Sequence, residues 1–165
     1  MKRRLAVVSV FLLLVIPARL FAKGEIVKIT IQGAGLKTPI VIADLKTLPH
    51  FNVWSGPGTC CPITNEADEF IIDWSKSVTA RAQGLQRYQV SFYAKVPNER
   101  LIYVVFYEYD PATEEGYIYL PGKADEWYRL NVSTIFRGVE GRWFRATSEW
   151  DSFARPLILD AKAQG

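Results

Sequence analysis

Apolar and polar residues alternate along much of the chain with a period of two, which is typical of β-strands. The alternation first shows in residues 26–32, where one face is apolar (Val27, Ile29, Ile31) and the other polar (Lys28, Thr30, Gln32). This pattern predicts a half-buried strand that ends at the glycines of residues 33–35. Residues 39–42 predict a second short strand, which begins at Pro39, where a proline costs no hydrogen bond of the ladder.

The clearest alternation lies in residues 87–120. It predicts strands at residues 88–96, 101–109 and 117–120, joined by polar turns at residues 97–100 and 110–116. The middle segment is apolar or aromatic on both faces, which favours a central position in a sheet. We therefore expect a three-stranded antiparallel meander.

The remaining segments have weaker patterns. They predict strands at residues 69–74, 127–136 and 143–147, helical turns at residues 43–50 and from Ser152 to Pro156, and one long irregular loop at residues 52–68. No segment repeats and no linker divides the chain. The sequence therefore predicts a mainly β protein: a single antiparallel β-sandwich-like domain, with two packed sheets, short helical turns and one long loop.

The first 22 residues have the layout of a secretory signal peptide. Lys2, Arg3 and Arg4 precede an apolar run at residues 5–16, and Ala22 provides a small residue at the expected cleavage point. The run is shorter than the roughly 20 residues that span a bilayer. We expect cleavage after Ala22, no stable membrane span afterwards, and export of a β-rich domain at residues 23–165 to the periplasm or the exterior. An uncleaved anchor is the alternative.

Composition and charge narrow the choice of partners. The chain has 165 residues, of which 49% are hydrophobic and 22% charged, enough to build one folded core. Its formal net charge is +3, but four of its 20 lysines and arginines lie in residues 1–22, which leaves 16 cations against 17 acids. The predicted mature chain therefore carries about one negative charge, and we expect no nucleic-acid partner.

Four segments spread over the predicted mature chain resemble an uncharacterised group of short exported bacterial proteins. They are GEIVKITI at residues 24–31, YIYLPG at 117–122, WYRLN at 127–131 and GRWF at 141–144. The resemblance implies a bacterial exported protein. It implies no activity, cofactor or catalytic residue.

The residues suited to nucleophilic or metal chemistry are few. His50 is the only histidine, and Cys60 and Cys61 are the only thiols. We interpret His50 as a polar residue at a loop edge, with a Cys–His nucleophile as the alternative. Adjacent cysteines are poorly spaced to place both thiolates on one zinc ion with His50 and Asp68, and the acids of residues 65–69 lack the spacing of a calcium loop. We predict neither a metal nor a cofactor. For Cys60 and Cys61 three states stay open: a strained disulfide ring between the two, a disulfide between two chains, or free thiols.

Paired carboxylates offer another route to catalysis. Glu108 and Asp110 lie two residues apart on one predicted strand and therefore share a face. A glycosidase needs two carboxyl groups flanking a cleft, and one strand supplies the spacing but no cleft. We interpret Glu108 as a polar residue near the end of a strand; the balance favours a protein that is not an enzyme, and a hydrolase that uses Glu108 and Asp110 or His50 is the alternative.

Tyrosines form the most specific surface feature. Tyr107 and Tyr109 share a face of the central strand with Tyr103. If residues 110–116 close a hairpin, Tyr109 is expected opposite Tyr117, and Tyr107 opposite Tyr119. Such a cluster is core if a second sheet covers it, and a platform for sugar rings or for a partner's apolar patch if it is solvated.

A second candidate is the basic and aromatic segment Arg142, Trp143 and Arg145, which has Arg129 and Arg137 nearby in sequence. It suits a carboxylate, a phosphate or a lipid head group, or it is a solvated strand. The sequence therefore predicts an exported, non-catalytic binding protein for a glycan, an envelope component or a partner protein. The alternatives are a structural or assembly protein and a small hydrolase. The candidate binding residues are Tyr107, Tyr109, Tyr117, Tyr119, Arg142, Trp143 and Arg145.

Overall fold

The computed structural model describes residues 24–59, 70–95 and 97–164. Its strands are β1 (Glu25–Gly33), β2 (Ile40–Ile42), β3 (Ile72–Val78), β4 (Gln86–Lys95), β5 (Glu99–Asp110), β6 (Glu115–Tyr119) and β7 (Trp143–Ala146). Its helices are α1 (Tyr128–Thr134) and α2 (Ser148–Ala163), with a short 3₁₀ turn at Leu48–His50. The predicted signal peptide, Cys60 and Cys61 lie outside the described residues.

The described strands form one antiparallel sheet in the order β2-β1-β4-β5-β6-β7-β3. The prediction of a mainly β, antiparallel, sandwich-like fold is confirmed, and β4, β5 and β6 are the predicted meander. The described strands do not separate into the two sheets that we expected. In this part of the chain, the second layer comes from the curvature of the one sheet and from helix α2.

Aromatic contacts show how strongly the sheet curves. Phe70, two residues before β3, has its ring centroid 5.2 Å from that of Phe92 on β4 and 6.1 Å from that of Tyr103 on β5. Strands β3 and β4 are four positions apart in the sheet, which is about 19 Å in a flat sheet. The edge that carries β3 therefore folds back over the middle of the sheet.

The core fills the concave side, which we call the inner face. Its fully buried side chains include Ile29, Ile31, Val90, Phe92, Tyr103, Val105, Tyr107 and Ile118. Helix α2 closes one end of it with Trp150, whose ring meets those of Phe51 and Tyr107 edge-on, at 5.0 and 6.1 Å between centroids. Burial of these large apolar and aromatic surfaces is the main stabilising term of the fold.

Helix α2 is longer than the sequence suggested. Thr147 caps its N-terminus, with its hydroxyl oxygen accepting from the Trp150 N–H at 3.2 Å. We expected one turn ending at Pro156, but the helix continues through this proline to Ala163. Pro156 and Ser152, whose carbonyl loses its helical donor, both lie on the exposed side of the helix, where water can replace the missing N–H.

The prediction of a strand at residues 127–136 is wrong, because helix α1 occupies this segment. Its buried Asn131 side chain accepts from the Val104 N–H at 2.9 Å and donates to the Val104 carbonyl at 2.7 Å. Strand β6 pairs with β5 only from Phe106 onwards. Helix α1 therefore covers the edge of β5 that β6 leaves open.

Strand β3 differs in its bounds from the strand expected there. Strand β3 begins at Ile72 and reaches Val78, with an irregular register between Asp73 and Ser77, whereas we expected a strand at residues 69–74.

Among the helices of the described residues, none has the length and apolar character that a membrane crossing requires.

Candidate functional site

The register between β5 and β6 differs by one residue from the one expected. Tyr107 lies opposite Ile118, and Glu108 lies opposite Tyr117. The connection is shorter than expected because β6 begins at Glu115, directly after Glu114 in a left-handed conformation with φ 58°. A shift of one residue moves every side chain of a strand to the other face of the sheet. The expected cluster of tyrosines from both strands is therefore wrong.

The tyrosines of β5 belong to the inner face. Tyr107 is fully buried, and its hydroxyl donates to Asp151 Oδ1 at 2.8 Å. Burial raises the pKa of Tyr107 well above its ordinary value. Tyr109 is half-buried and lies beneath Arg155, whose guanidinium carbon is 4.3 Å from the ring centroid. Tyr107 is thus a core residue, and neither tyrosine shares a surface with Tyr117 and Tyr119.

The opposite, outer face carries a line of aromatic rings, which we call the aromatic row: Phe106 on β5, Tyr119 on β6 and Trp143 on β7. Phe106 pairs with Tyr119, and Tyr119 pairs with Trp143, in the register of the sheet. Their ring centroids are 6.5 and 4.9 Å apart, with the rings inclined by 27° and 33°. All three are half-buried. The row brings together Tyr119 and Trp143, which the sequence placed in separate candidate sites.

A parallel line of polar residues, the charged row, runs beside it: Arg87 on β4, Glu108 on β5, Tyr117 on β6 and Arg145 on β7. Glu108 is buried between two arginines. Its Oε1 is 2.9 Å from Arg87 Nε, and its Oε2 is 2.6 Å from Arg81 Nη1. One buried carboxylate therefore holds two guanidinium groups at this face.

Those two arginines lie over the aromatic row. The guanidinium carbon of Arg81 is 3.8 Å from the ring centroid of Trp143, and that of Arg87 is 5.5 Å from Phe106. These distances are within the range of a cation–π interaction. The Arg87 side chain is 48% exposed, so it can still donate to a molecule that approaches from solvent. We call the two rows together with Arg81 the outer site.

The far end of the charged row is an ion pair. Arg145 pairs with Glu115, and its guanidinium carbon is 4.6 Å from the ring centroid of Tyr117. The hydrogen bond from Arg145 holds the pKa of Glu115 below its ordinary value. Tyr117 itself is buried under this pair. Arg145 and Tyr117 therefore stabilise the outer site by contacts within the protein and offer little surface to a ligand.

The rim of the outer site is also ordered by hydrogen bonds. The Tyr119 hydroxyl donates to Asp125 Oδ2 at 2.9 Å, and burial raises the pKa of this tyrosine. Gln89 accepts from the Trp127 indole N–H at 3.2 Å. Beyond Phe106 the row opens into a shallow groove of about 470 Å³, whose far wall includes Leu36 and Pro39. The outer site is therefore an extended strip and not a deep pocket.

Three other arginines named from the sequence lie elsewhere. Arg142 is exposed just before β7, and Arg129 is exposed on α1. Arg137 is buried. Its Nε donates to the Tyr103 hydroxyl at 2.9 Å, and its Nη atoms donate to the carbonyls of residues 53, 55 and 57. Arg137 therefore belongs to the core and not to a basic surface.

The described candidate catalytic side chains lie in different parts of the fold, and each has a partner within the protein. Both oxygens of Glu108 face arginines, and Asp110 accepts from the Ala112 N–H at 2.9 Å in the turn after β5. His50 Nδ1 is 3.2 Å from Glu149 Oε1, with both side chains about half exposed. Within the described residues, no three His, Cys, Asp or Glu side chains are placed to hold a metal ion. Cys60, Cys61 and Asp68 lie outside this part of the chain.

A cavity of about 740 Å³ lies between β3 and the start of α2. Asp151 on its wall accepts from the Tyr107 hydroxyl and, at 2.9 Å, from the Gly116 N–H. A Cβ on residue 116 would collide with this carboxylate, so glycine is needed there. Burial raises the pKa of Asp151. Its bonds join α2 to β5 and β6, which is a structural role.

No family model, curated protein or solved structure matches this chain. Sequence reasoning missed Phe106, Arg87 and Arg81 as members of the outer site. The alternation along β5 places Phe106 and Glu108 on one face, which is a usable signal, but nothing in the sequence places the loop residue Arg81 over Trp143.

Proposed function

We propose that this protein is an exported, non-catalytic binding protein whose outer site binds a glycan. The observation that carries the proposal is the aromatic row, in which three half-buried rings are aligned on neighbouring strands. Strand spacing is about 5 Å; the ring centroids of Tyr119 and Trp143 are 4.9 Å apart, and those of Phe106 and Tyr119 are 6.5 Å apart.

Aromatic faces and sugar rings are complementary surfaces. A pyranose ring presents apolar C–H groups on its faces and hydroxyl groups at its edge. The faces can stack on an aromatic ring, while the exposed Arg87 guanidinium beside the row offers donors to the hydroxyls. The strip is shallow and open, which suits a chain of sugar units better than a small molecule that must be enclosed.

The exposed guanidinium group of Arg87 favours an acidic glycan. Arg81 and Arg87 share the single carboxylate of Glu108, whereas Arg145 is matched by Glu115. Asp125 at the rim adds a third carboxylate, so the charges of the outer site balance, but the Arg87 side chain is 48% exposed and can still pair with a carboxylate that approaches from solvent. We expect a polysaccharide with carboxylate groups to bind more tightly than a neutral one, and the difference to shrink as salt is added.

The sequence supports the proposal that the protein is exported. A segment with the layout of a signal peptide precedes the domain, and the resemblance is to exported bacterial proteins. Export would bring the outer site into contact with the glycans of the cell envelope. A binder of such a polymer needs no catalytic group.

Affinity electrophoresis tests the proposal, with gels that contain alginate, polygalacturonate or dextran. We expect the acidic polysaccharides to retard the protein, and Trp143→Ala and Tyr119→Ala each to weaken this binding about tenfold, as loss of a central aromatic contact does. Phe136→Ala is the matched control, since Phe136 is an exposed aromatic residue outside the outer site. The proposal fails if no gel retards the folded protein, or if all three variants migrate like the unmodified protein.

A further inference from the structure

A third cavity lies on the inner side of the sheet, between α2 and the adjoining ends of β4 and β5. We call it the α2 pocket. Its walls are largely apolar and include Leu85, Tyr88, Tyr109, Ile158 and Leu159. Its volume is about 300 Å³, which is at the lower end of the range for ligand pockets. It is separate from the outer site and does not depend on the function proposed for that site.

Leu159 is the least expected residue of the α2 pocket. It is 57% exposed, although a helix that packs on a sheet usually turns its leucines inwards. Together with the buried Ile158, it gives α2 an apolar edge that faces the cavity. An apolar ligand in the pocket would cover this surface.

Two cations also line the α2 pocket, and the described residues that line it include no carboxylate. Lys162 donates to the neutral side chain of Gln86 and lies 5.2 Å from the Tyr88 ring centroid. Arg155 is 3.3 Å from Asp151 and also donates to the Glu114 carbonyl, while its buried Nε has no hydrogen-bond partner in the described part of the chain. The pocket therefore combines an apolar wall with the ammonium group of Lys162, whose partner Gln86 is neutral, and with the guanidinium group of Arg155, which Asp151 already pairs.

We propose that the α2 pocket binds a medium-chain alkyl carboxylate. The alkyl chain lies against Leu85, Ile158 and Leu159, and the carboxylate lies near Lys162 and Arg155. Guanidinium and ammonium groups form charge-assisted hydrogen bonds with a carboxylate, and the apolar walls remove the chain from water. The small volume sets an upper limit on the length of the chain.

Calorimetric titration of the purified protein with hexanoate, octanoate and decanoate, each below its micellar concentration, tests the proposal. We expect saturable binding that tightens about two- to fourfold for each added CH₂ group until the pocket is full. Decanol, which has the same chain without the charge, should bind more weakly than decanoate. Absence of saturable binding, or affinity that does not depend on chain length, would overturn the proposal.

Three variants locate the binding. Lys162→Gln should weaken decanoate binding at least threefold and leave decanol unchanged, and Leu159→Ser should weaken both. Lys46→Gln, an exposed lysine that does not line the pocket, is the control for the change in charge and should alter neither. Because Leu159 and Lys162 are exposed or half-buried, thermal unfolding should show that the variants fold. Equal binding by all three, or binding only to vesicles of anionic lipid and never to free decanoate, would contradict the proposal.

Discussion

At the scale of single residues, Arg137 occupies a position where an apolar side chain would be usual. Its guanidinium carbon is 4.7 Å from the ring centroid of Trp74 and 5.1 Å from that of Phe70. Its N–H groups hold the carbonyls of the segment that follows the 3₁₀ turn. One buried cation thus joins this segment to the β5 core, and burial lowers its pKa below the ordinary value for arginine.

Replacement of Arg137 should therefore be costly. We expect Arg137→Met to lower the free energy of unfolding by about 2–4 kcal/mol, because several buried acceptors lose their donor at once. Urea denaturation measures this difference. Arg129→Met, a matched change at an exposed arginine, should alter stability by less than about 0.5 kcal/mol. Equal effects of the two substitutions would show that the Arg137 bonds contribute little.

Asp151 makes stability depend on pH in an unusual direction. Burial raises its pKa above the ordinary 3.8, although Tyr107, Arg155 and the Gly116 N–H favour the charged form. The folded protein then binds a proton more tightly than the unfolded chain does. This contribution to stability is fully present below about pH 3.8 and is lost as pH rises through the pKa of the folded state.

Asp151→Asn removes that dependence on pH. We expect the stability of the unmodified protein relative to this variant to fall as pH rises from 4, by up to about 1.4 kcal/mol per pH unit. Urea denaturation of both proteins at several pH values gives the difference. A difference that grows with pH would mean that the partners of Asp151 outweigh its burial.

At the scale of elements, a helix takes the place of a strand beside β5. The weak pattern of residues 127–136 led us to expect a strand there, and helix α1 occupies the segment instead. Sequence reasoning had no means of identifying the buried Asn131, whose amide copies the hydrogen bonds of a neighbouring strand. A polar side chain that replaces a backbone partner leaves no periodic signal.

Loss of this amide should open the edge of β5. We expect Asn131→Ala to cost about 2–4 kcal/mol, since the Val104 N–H and carbonyl both lose their partner. The Val104 amide proton should exchange faster with solvent, which hydrogen exchange followed by NMR detects. Ser133→Ala, an exposed position on the same helix, should change neither quantity appreciably. Unchanged Val104 exchange in the Asn131 variant would contradict this role.

The hairpin of β5 and β6 shows what periodicity can and cannot predict. Alternation identified both strands and the sharing of one face by Tyr107 and Tyr109. The register between β5 and β6 depends on the residue at which the turn ends. The left-handed conformation of Glu114 sets that end. A strand period of two makes a register shift of one residue decisive. For this reason the sequence found Tyr119 and Trp143 as candidates but combined Tyr119 with the wrong neighbours.

At the scale of the whole molecule, the curvature of one sheet replaces the second sheet that we expected. The inner face closes on itself through Phe70, while the outer face stays open and carries the aromatic row. Alternation predicts that a strand has a buried and an exposed face, but it carries no information on how far a sheet bends. The mainly β class was therefore predictable, whereas the shared surface of Tyr119 and Trp143 was not.

The chain has five tryptophans, and their indole N–H signals in an ¹H–¹⁵N NMR spectrum report on the inner and outer faces together. The most direct test is to add the polysaccharide that retards the protein most and to follow these signals. We expect the Trp143 indole and the Phe106 and Tyr119 amides to shift in a saturable way, and the buried Trp150 indole to stay in place. Shifts confined to other surfaces, or none at all, would contradict the assignment of the outer site as a glycan-binding surface.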